Sequence, residues 1–314
     1  MPLSNYPSGF RGGALLKNVP LFDQIDGNVL WADSGAGGAG NPGTFNSPLS
    51  TVSGAVAKCT ANNGDRVMCK SGHTETLGAA AALAIATAGI TIEGIGYGAD
   101  MAQLRFTAAA SDIDITAAGT RFINMRFTAA FADVVSGLDI SANNTQFYNC
   151  VFDEEVADEN WLTSVMDIAD GVDGLVVSGC TFRGDDASND ACILFAGTHE
   201  NCVIENNRFF YGTAQTAVVA FITSATQQIN LRLENNYFHS ETAVIAAGFV
   251  VLTGTTNNGW AIGNQLSSVD TDATAANALS AFDVTGLHCS GNYFTSGVAD
   301  TYGIESFLTV EDLT

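Results

Sequence analysis

Eight positions, Gly94, Asn124, Asn149, Gly179, Asn206, Asn235, Gly263 and Gly291, follow one another at spacings of 30, 25, 30, 27, 29, 28 and 28 residues. All are asparagine or glycine, the residue types that most readily adopt positive φ. Three residues after each stands Tyr97, Phe127, Phe152, Phe182, Phe209, Phe238, Leu266 or Phe294. Two residues before each stands Ile92, Phe122, Phe147, Val177, Ile204, Leu233, Ala261 or Cys289. The motif is plainest in IENNRFF (Ile204 to Phe210) and LENNYFH (Leu233 to His239). A left-handed turn between inward-pointing apolar residues, returning at so regular an interval, describes one corner of a coil. The stretches between are short, alternating and rich in Val, Ile, Thr and Phe, as in GLDISANNTQFYN and VVAFITSA, which predicts strands and not helices. Strands stacked on copies of themselves at about 4.8 Å make an all-β, single-stranded parallel β-solenoid.

Two further patterns agree with this coil. All five prolines (Pro2, Pro7, Pro20, Pro42, Pro48) precede residue 49, leaving the rest of the chain free of a residue that central strands exclude. The residue after each turn position forms a second column, Ile95, Met125, Cys150, Cys180, Asn207, Asn236, Asn264 and Asn292. Its last four members predict an amide ladder, each side chain donating to the carbonyl of the next and satisfying polar groups that are costly to bury alone. Cys150 and Cys180 are then stacked neighbours, read as small buried thiols. Seven cysteines with no C-x-x-C spacing argue against a disulfide framework or a zinc site and for folding in a cytoplasm.

A turn column with stacked asparagines and inward phenylalanines resembles the right-handed parallel β-helix of the pectate-lyase-like superfamily, over about Gly64 to Phe294. That resemblance implies a fold and leaves the chemistry open. Ahead of it, Val52, Ala55, Val56 and Cys59 fall on one face at helical spacing, which predicts a short helix laid over the open edge of the first coil. The order NPGTF-x-x-P-L-x-T, short helix, NNGD-x-V-x-x-K-x-GH-x-ET resembles the capping region of β-helix repeat proteins encoded among the virion genes of tailed bacteriophages. The opening MPLSNYPSGF, followed by GG and a short apolar strand, is similar to the same family. The organisation expected is therefore an extended arm over 1–30, a Gly-rich loop and capping helix over 31–63, and a β-helix over 64–314.

Charge divides the chain unevenly. Its 33 acids and 11 bases give a net charge of −22, yet residues 1–70 carry five bases and four acids, hence +1, and the remainder carries −23. Such a surface repels nucleic acid and anionic membranes, and neither is expected as a partner. No run near the first residue resembles a signal peptide. The near-neutral end is the one most easily seated on another protein, so attachment is assigned to Tyr6, Phe10, Arg11, Leu15, Lys17, Leu21 and Phe22 in an arm that orders on its partner. What the phage resemblance implies is a structural virion protein that decorates or cements the capsid exterior. Its partner would be the major capsid protein or another virion protein, it would be made in the host cytoplasm, and it would form a homo-oligomer, a trimer being expected.

β-Helices also carry carbohydrate enzymes, and two clusters of acids bear on that possibility. Asp153, Glu154, Glu155, Asp158 and Glu159 follow the Phe152 corner, and Arg183, Asp185, Asp186 and Asp190 follow the next. Neighbouring coils would bring such carboxylates within the separations glycosidases use. The alternative reading is therefore a tailspike-like protein that binds or degrades polysaccharide, with these loops open to Ca²⁺ or a glycan. Against it stand the scarcity of nearby aromatics, Trp161 excepted, and coils too short for long side loops; the sequence closes about one coil after its last turn glycine, leaving no room for a trimerising C-terminal domain. His73 beside Glu75 reads as a turn histidine at the lip of the first coil, and His199, His239 and His288 share no context. No catalytic residue, metal ligand or cofactor is assigned, and the protein is not expected to be an enzyme.

Overall fold

A computed structural model describes residues 27–156, 159–184, 191–212, 220–241, 248–268 and 282–296, together with the strand backbone at 15–16, 19–20 and 306–308. The architecture is a parallel β-solenoid. Sheet I has ten parallel strands, from Val29–Ala32 through Arg66–Cys69, Thr91–Gly94 and so on to His288–Ser290. Sheet II runs from Thr74–Leu77 to Asn292–Ser296, with Ser306–Leu308 added antiparallel at its end. Sheet III has eight strands, from Leu83–Ile85 to Phe282–Asp283. From Arg66–Cys69 to Phe282–Asp283 each coil contributes one strand to each sheet, so every central strand bonds to the coil before and the coil after.

The period-2 alternation read from sequence decides what lies inside. In sheet II the inward column runs Leu104, Phe127, Phe152, Phe182, Phe209, Phe238, Leu266 in register. Its five phenylalanines stack with centroids 4.9, 4.6, 4.8 and 4.8 Å apart and planes within 12° of parallel. Strand spacing sets that distance, and each offset pair adds about 0.5–1.5 kcal/mol beyond area burial. A second column, Phe122 on Phe147 at 5.2 Å, closes against it from sheet I.

The corners between sheets I and II are where the sequence period lies. Asn124, Asn149, Gly179, Asn206, Asn235, Gly263 and Gly291 have φ between 52° and 68°. The turn amide continues the ladder: Asn149 N–H donates to Ser178 O at 3.0 Å, Asn206 N–H to Glu234 O at 2.9 Å and Asn235 N–H to Ile262 O at 2.9 Å.

Gly94 departs from the expected column. It ends a strand, and the positive-φ residues of its corner are Gly96 (φ 107°) and Gly98 (φ 59°). Its corner is longer, detouring through a 3₁₀ turn at Gly98–Asp100. Gly94 is needed for clearance instead, because a Cβ there would meet the Asn124 carbonyl oxygen at 2.3 Å. The detour also displaces Ile95, which lies 38% exposed, and fully buried Ala102 takes the place expected for it. In the following strand positions, Arg126 N–H donates to Ala102 O, Val151 N–H to Met125 O and Thr181 N–H to Cys150 O. Gln103 N–H donates likewise to His73 O, so the buried column begins at His73.

The front end is more closely built into the solenoid than the sequence suggests. Val29–Ala32 pairs in parallel with Arg66–Cys69, which makes residues 29–32 the first rung of sheet I and corrects the arm boundary at residue 30. The hydrophobic alternation of VLWA explains the pairing, since Leu30 and Ala32 turn inward onto Val67 and Cys69. Helix α1 (Val52–Val56), shorter than the apolar spacing implies, buries Val52, Ala55 and Val56 over the first coil and is capped by Thr51, whose hydroxyl accepts from Gly54 N–H. Upstream, Leu15–Leu16 pairs antiparallel with Val19–Pro20, so this part of the arm folds back on itself.

Candidate functional site

The outer face of sheet II carries a cleft of about 400 Å³ lined by Arg126, Asp153, Glu154, Arg183, Phe210, His239 and Glu241, among others. Two outward rows supply it. One passes through Gln103, Arg126, Val151, Thr181, Arg208 and Tyr237; the other, two residues on, through Arg105, Thr128, Asp153, Arg183, Phe210 and His239. Because Phe152, Phe182, Phe209 and Phe238 point inward, Asp153, Arg183, Phe210 and His239 must point out.

Asp153 is the best-anchored group in the cleft. It is 7% exposed, and Arg126 grips its carboxylate through Nε at 2.9 and 3.1 Å and through a terminal nitrogen at 2.7 Å. Thr128 Oγ1 donates to it at 2.8 Å and itself accepts from Gln103 Nε2 at 2.8 Å. A bidentate, charge-assisted pair of this kind holds its members rigidly. Glu155 pairs with Arg105, two rungs away. Arg183 is exposed and forms no ion pair among the described residues. Across the cleft, Phe210 meets the Tyr237 ring at 5.7 Å and the His239 ring at 6.2 Å, and Tyr237 stacks on His239 at 6.1 Å. His239 Nε2 lies 3.9 Å from Glu241 Oε1, while its Nδ1 is buried without a hydrogen-bond partner.

This arrangement offers a fixed carboxylate–guanidinium pair, a free guanidinium and two or three ring faces. With Glu154 and Glu241 also in its lining, such a set suits recognition of a polar ligand bearing a flat apolar side. The acidic loops singled out from sequence divide accordingly: Asp153 and Glu154 line the cleft, Glu155 is bound to Arg105, and Asp158, Asp185, Asp186 and Asp190 lie outside the described residues. Phe210, Tyr237 and His239 were missed. The signal was present, since an inward phenylalanine dictates an outward neighbour on either side.

Sheet III carries a column of carboxylates without basic partners in it among the described residues. Asp114, Asp139 and Asp167 stand in register on successive strands of its outer face. Carboxylate oxygens of Asp112, Asp114 and Asp139 lie within 4.8 Å of one another. Burial, then the charges of Asp139 and Asp114, push the Asp112 carboxyl up against an opposing hydrogen bond from Ala81 N–H. Burial and Asp139 push Asp167 up as well.

The histidines are structural where they are buried. His73 Nδ1 accepts from Ser34 N–H at 3.0 Å, and its Nε2 faces Glu75 Oε2 at 3.5 Å. Glu75 Oε2 accepts from Val52 N–H at 2.6 Å, so the pair bolts α1 to the first coil. His199 bonds Val172 O through Nδ1 at 2.8 Å, and burial pushes its pKa down. Of the attachment residues, Tyr6, Phe10, Arg11, Lys17, Leu21 and Phe22 lie outside the described residues, and Leu15 is described only as strand backbone.

No family model matches the chain, and no curated protein matches it. Two solved structures of the pectin methylesterase from Aspergillus niger are similar to it. The penultimately deglycosylated form gives a TM-score of 0.49 and the deglycosylated form 0.46; each is 13% identical, with 91% of this chain and 93% of that chain covered. These neighbours are enzymes with a parallel β-helix fold. The likeness is one of chain course, and the fold assignment here stands on the sheet registers.

Proposed function

We propose that this protein is a structural component of a tailed-phage particle, seated on the capsid exterior by its N-terminal arm and cap, with the β-helix as a stiff, acidic rod in solvent. The observation that carries this reading is the segregation of charge along the chain: +1 over residues 1–70 and −23 beyond. The cap belongs to the near-neutral end and closes the first coil, so contact with another protein there does not compete with the rod for pairing edges. The continuous parallel ladder resists bending, and the acidic surface keeps decorated particles apart. Asp153, locked by Arg126 and Thr128, is spent on holding the face together, which supports a binding role over acid–base chemistry. The direct test is to mix stripped particles with the full chain and with a variant lacking residues 1–26, then locate density by cryo-EM. Binding by the shortened chain equal to that of the full one overturns the assignment of the anchor.

A second reading is favoured by the cleft itself. Arg183 with Phe210, Tyr237 and His239 on the outer face of sheet II forms a surface suited to a polysaccharide. A glycan panel read by binding and by reducing-end release separates the possibilities. Binding lost in Arg183→Ala supports recognition, release of new ends supports an enzyme, and silence in both leaves the structural role alone.

A further inference from the structure

The outer face of sheet I carries its charges in two separate rows. The row beginning at Val29 contains Arg66, Arg121 and Arg232 and no carboxylate. The row two residues further along each strand contains Glu93, Glu205 and Glu234 and no lysine or arginine. The face is thus neutral in a chain of net charge −22. Apolar side chains share the face with the charges and with the polar Thr91, Gln146, Ser178, His288 and Ser290: Val29, Trp260 and Ile262 are 38, 42 and 38% exposed, and Val203 and Tyr148 lie between them.

We propose that this face is the contact between two copies of the chain, packed side by side with their rods parallel about a two-fold axis along the rod. That operation lays each rung on the same rung of the second copy and exchanges the two rows, so the arginine row of one copy covers the glutamate row of the other. Arg232 then meets Glu234 of the second copy, Val203 meets its Glu205, and Trp260 meets its Ile262. Antiparallel packing instead lays each row on itself and sets Glu93 against Glu234. The rows already attract within one chain: Arg66 reaches Glu93 at 3.3 Å and Arg232 reaches Glu234 at 2.8 Å. In the pair these bonds become four-membered networks, which gain more than isolated surface ion pairs. Ten strands at about 4.8 Å and three residues of width at about 3.3 Å give roughly 475 Å² in plan per copy, about 950 Å² for the pair. That is the lower end for a specific contact, and an association of this size depends on salt. The surface is independent of the sheet II cleft and of the particle reading.

Sedimentation velocity on the full chain tests the proposal, with Val203→Glu and Val203→Lys compared with Thr223→Glu and Thr223→Lys. Thr223 is an outward residue of sheet III, so the two positions change net charge equally. The expected result is a dimer weakened about tenfold by Glu at 203, tightened by Lys at 203, unmoved by either change at 223, and weakened as salt rises from about 50 to about 500 mM. Circular dichroism establishes that each variant is folded; if Val203→Glu is not, Val203→Lys and Trp260→Ala carry the test, the latter by a weakened dimer. A monomer at about 100 μM, an assembly of another size, or equal responses at 203 and 223 overturns it.

Discussion

The side-chain amide of Asn236 donates to Oδ1 of Asn264 at 3.0 Å while also donating to Ile204 O at 2.8 Å, and its own backbone N–H donates to the same Oδ1 at 3.1 Å. Asn207 and Asn264 repeat the arrangement, with amide-to-amide bonds of 3.1 Å (Asn207 to Asn236) and 2.9 Å (Asn264 to Asn292), and Asn292 at the end of the ladder donates to Ala261 O at 2.8 Å. All four are buried. The column continues through sulfur: Cys180 N–H donates to Asn207 Oδ1 at 2.8 Å, and Cys150 N–H to Cys180 Sγ at 3.4 Å. A buried polar stack of this sort is costly to break at one member, because its neighbours keep their groups and lose the partner.

Asn236→Ala takes the shared Oδ1 acceptor from the Asn207 backbone N–H and from one of its two side-chain N–H groups, removes a donor from Ile204 O, and opens a small void. A loss of about 2–4 kcal/mol is expected, read as a lower urea midpoint at unchanged slope. Asn236→Cys should cost less than Asn236→Ala, since thiols already stand in this column at Cys150 and Cys180 and bond the same kinds of backbone group. Equal losses for the two would show that volume, not hydrogen bonding, holds the column.

Gly94 and Gly291 look alike in sequence and are glycine for different reasons. Gly94→Ala drives a methyl group into the Asn124 carbonyl, 2.3 Å from the ideal Cβ, and should cost about 1–3 kcal/mol. Gly291 has φ 64° and its Cβ would find only Gly263 N at 3.9 Å. Asparagine holds the same φ at Asn124, Asn149, Asn206 and Asn235, so Gly291→Asn should fall within about 0.5 kcal/mol of the parent, as paired thermal melts would record.

These two glycines mark how far the sequence could be read. A turn that must be left-handed leaves a trace in residue type at each coil from Asn124 onward, and inward phenylalanines fix which neighbours face out, so the coil and its corners were legible from Asn124 and the asparagine ladder from Asn207. The Gly94 corner was not, because a steric glycine and a conformational one are written with the same letter, and the detour through Gly98–Asp100 preserves the spacing while shifting the column from Ile95 to Ala102. Val29–Ala32 was hidden for another reason: its partner, Arg66–Cys69, lies beyond an inserted cap, and pairing across such a gap leaves no local period. The cleft failed on proximity. Arg126 and Asp153 are 27 residues apart and meet only because one coil separates them.

The thiols should be quiet in the folded protein. Burial pushes Cys69 and Cys180 well above the ordinary thiol range, and Cys202 and Cys289 up to about 11. Cys59, also raised to about 11 by burial and the Asp65 charge, is the one of the seven not fully buried. Since the thiolate is the reacting species, a thiol reagent at pH 8 should label Cys59 first and slowly, with the others appearing only on unfolding. Rapid labelling of Cys69 or Cys180 in native buffer would mean that the first coil or the ladder opens locally.

Stability should respond to acid in two opposing ways. Burial raises the Asp65 carboxyl, but hydrogen bonds from Thr60 N–H, Asn28 N–H and the Asn63 amide outweigh it, and the net shift is downward. A carboxylate lowered by folding adds stability above its unfolded pKa, near 3.8, and loses it as pH falls through the lowered value. Glu234, lowered first by the Arg232 hydrogen bond against opposing burial, behaves likewise. Asp112 and Asp167 run the other way. Their folded pKa lies above 3.8, so the folded state holds more protons than the unfolded one between those values, and stability falls as pH rises through that window. At neutral pH both are carried as a standing cost. Asp167→Asn removes that cost and the repulsion with Asp139, so its melting temperature should exceed the parent's at pH 7 and the difference should shrink towards pH 4. Asp65→Asn should do the reverse, lowering the melting temperature at pH 7 and mattering less as acid protonates the parent. Melts of the three proteins from pH 7 to well below 3.8 would decide it, the Asp167→Asn difference shrinking above that value and the Asp65→Asn difference only below it; an Asp167→Asn variant less stable than the parent at pH 7 would mean that this carboxylate is held by a favourable partner.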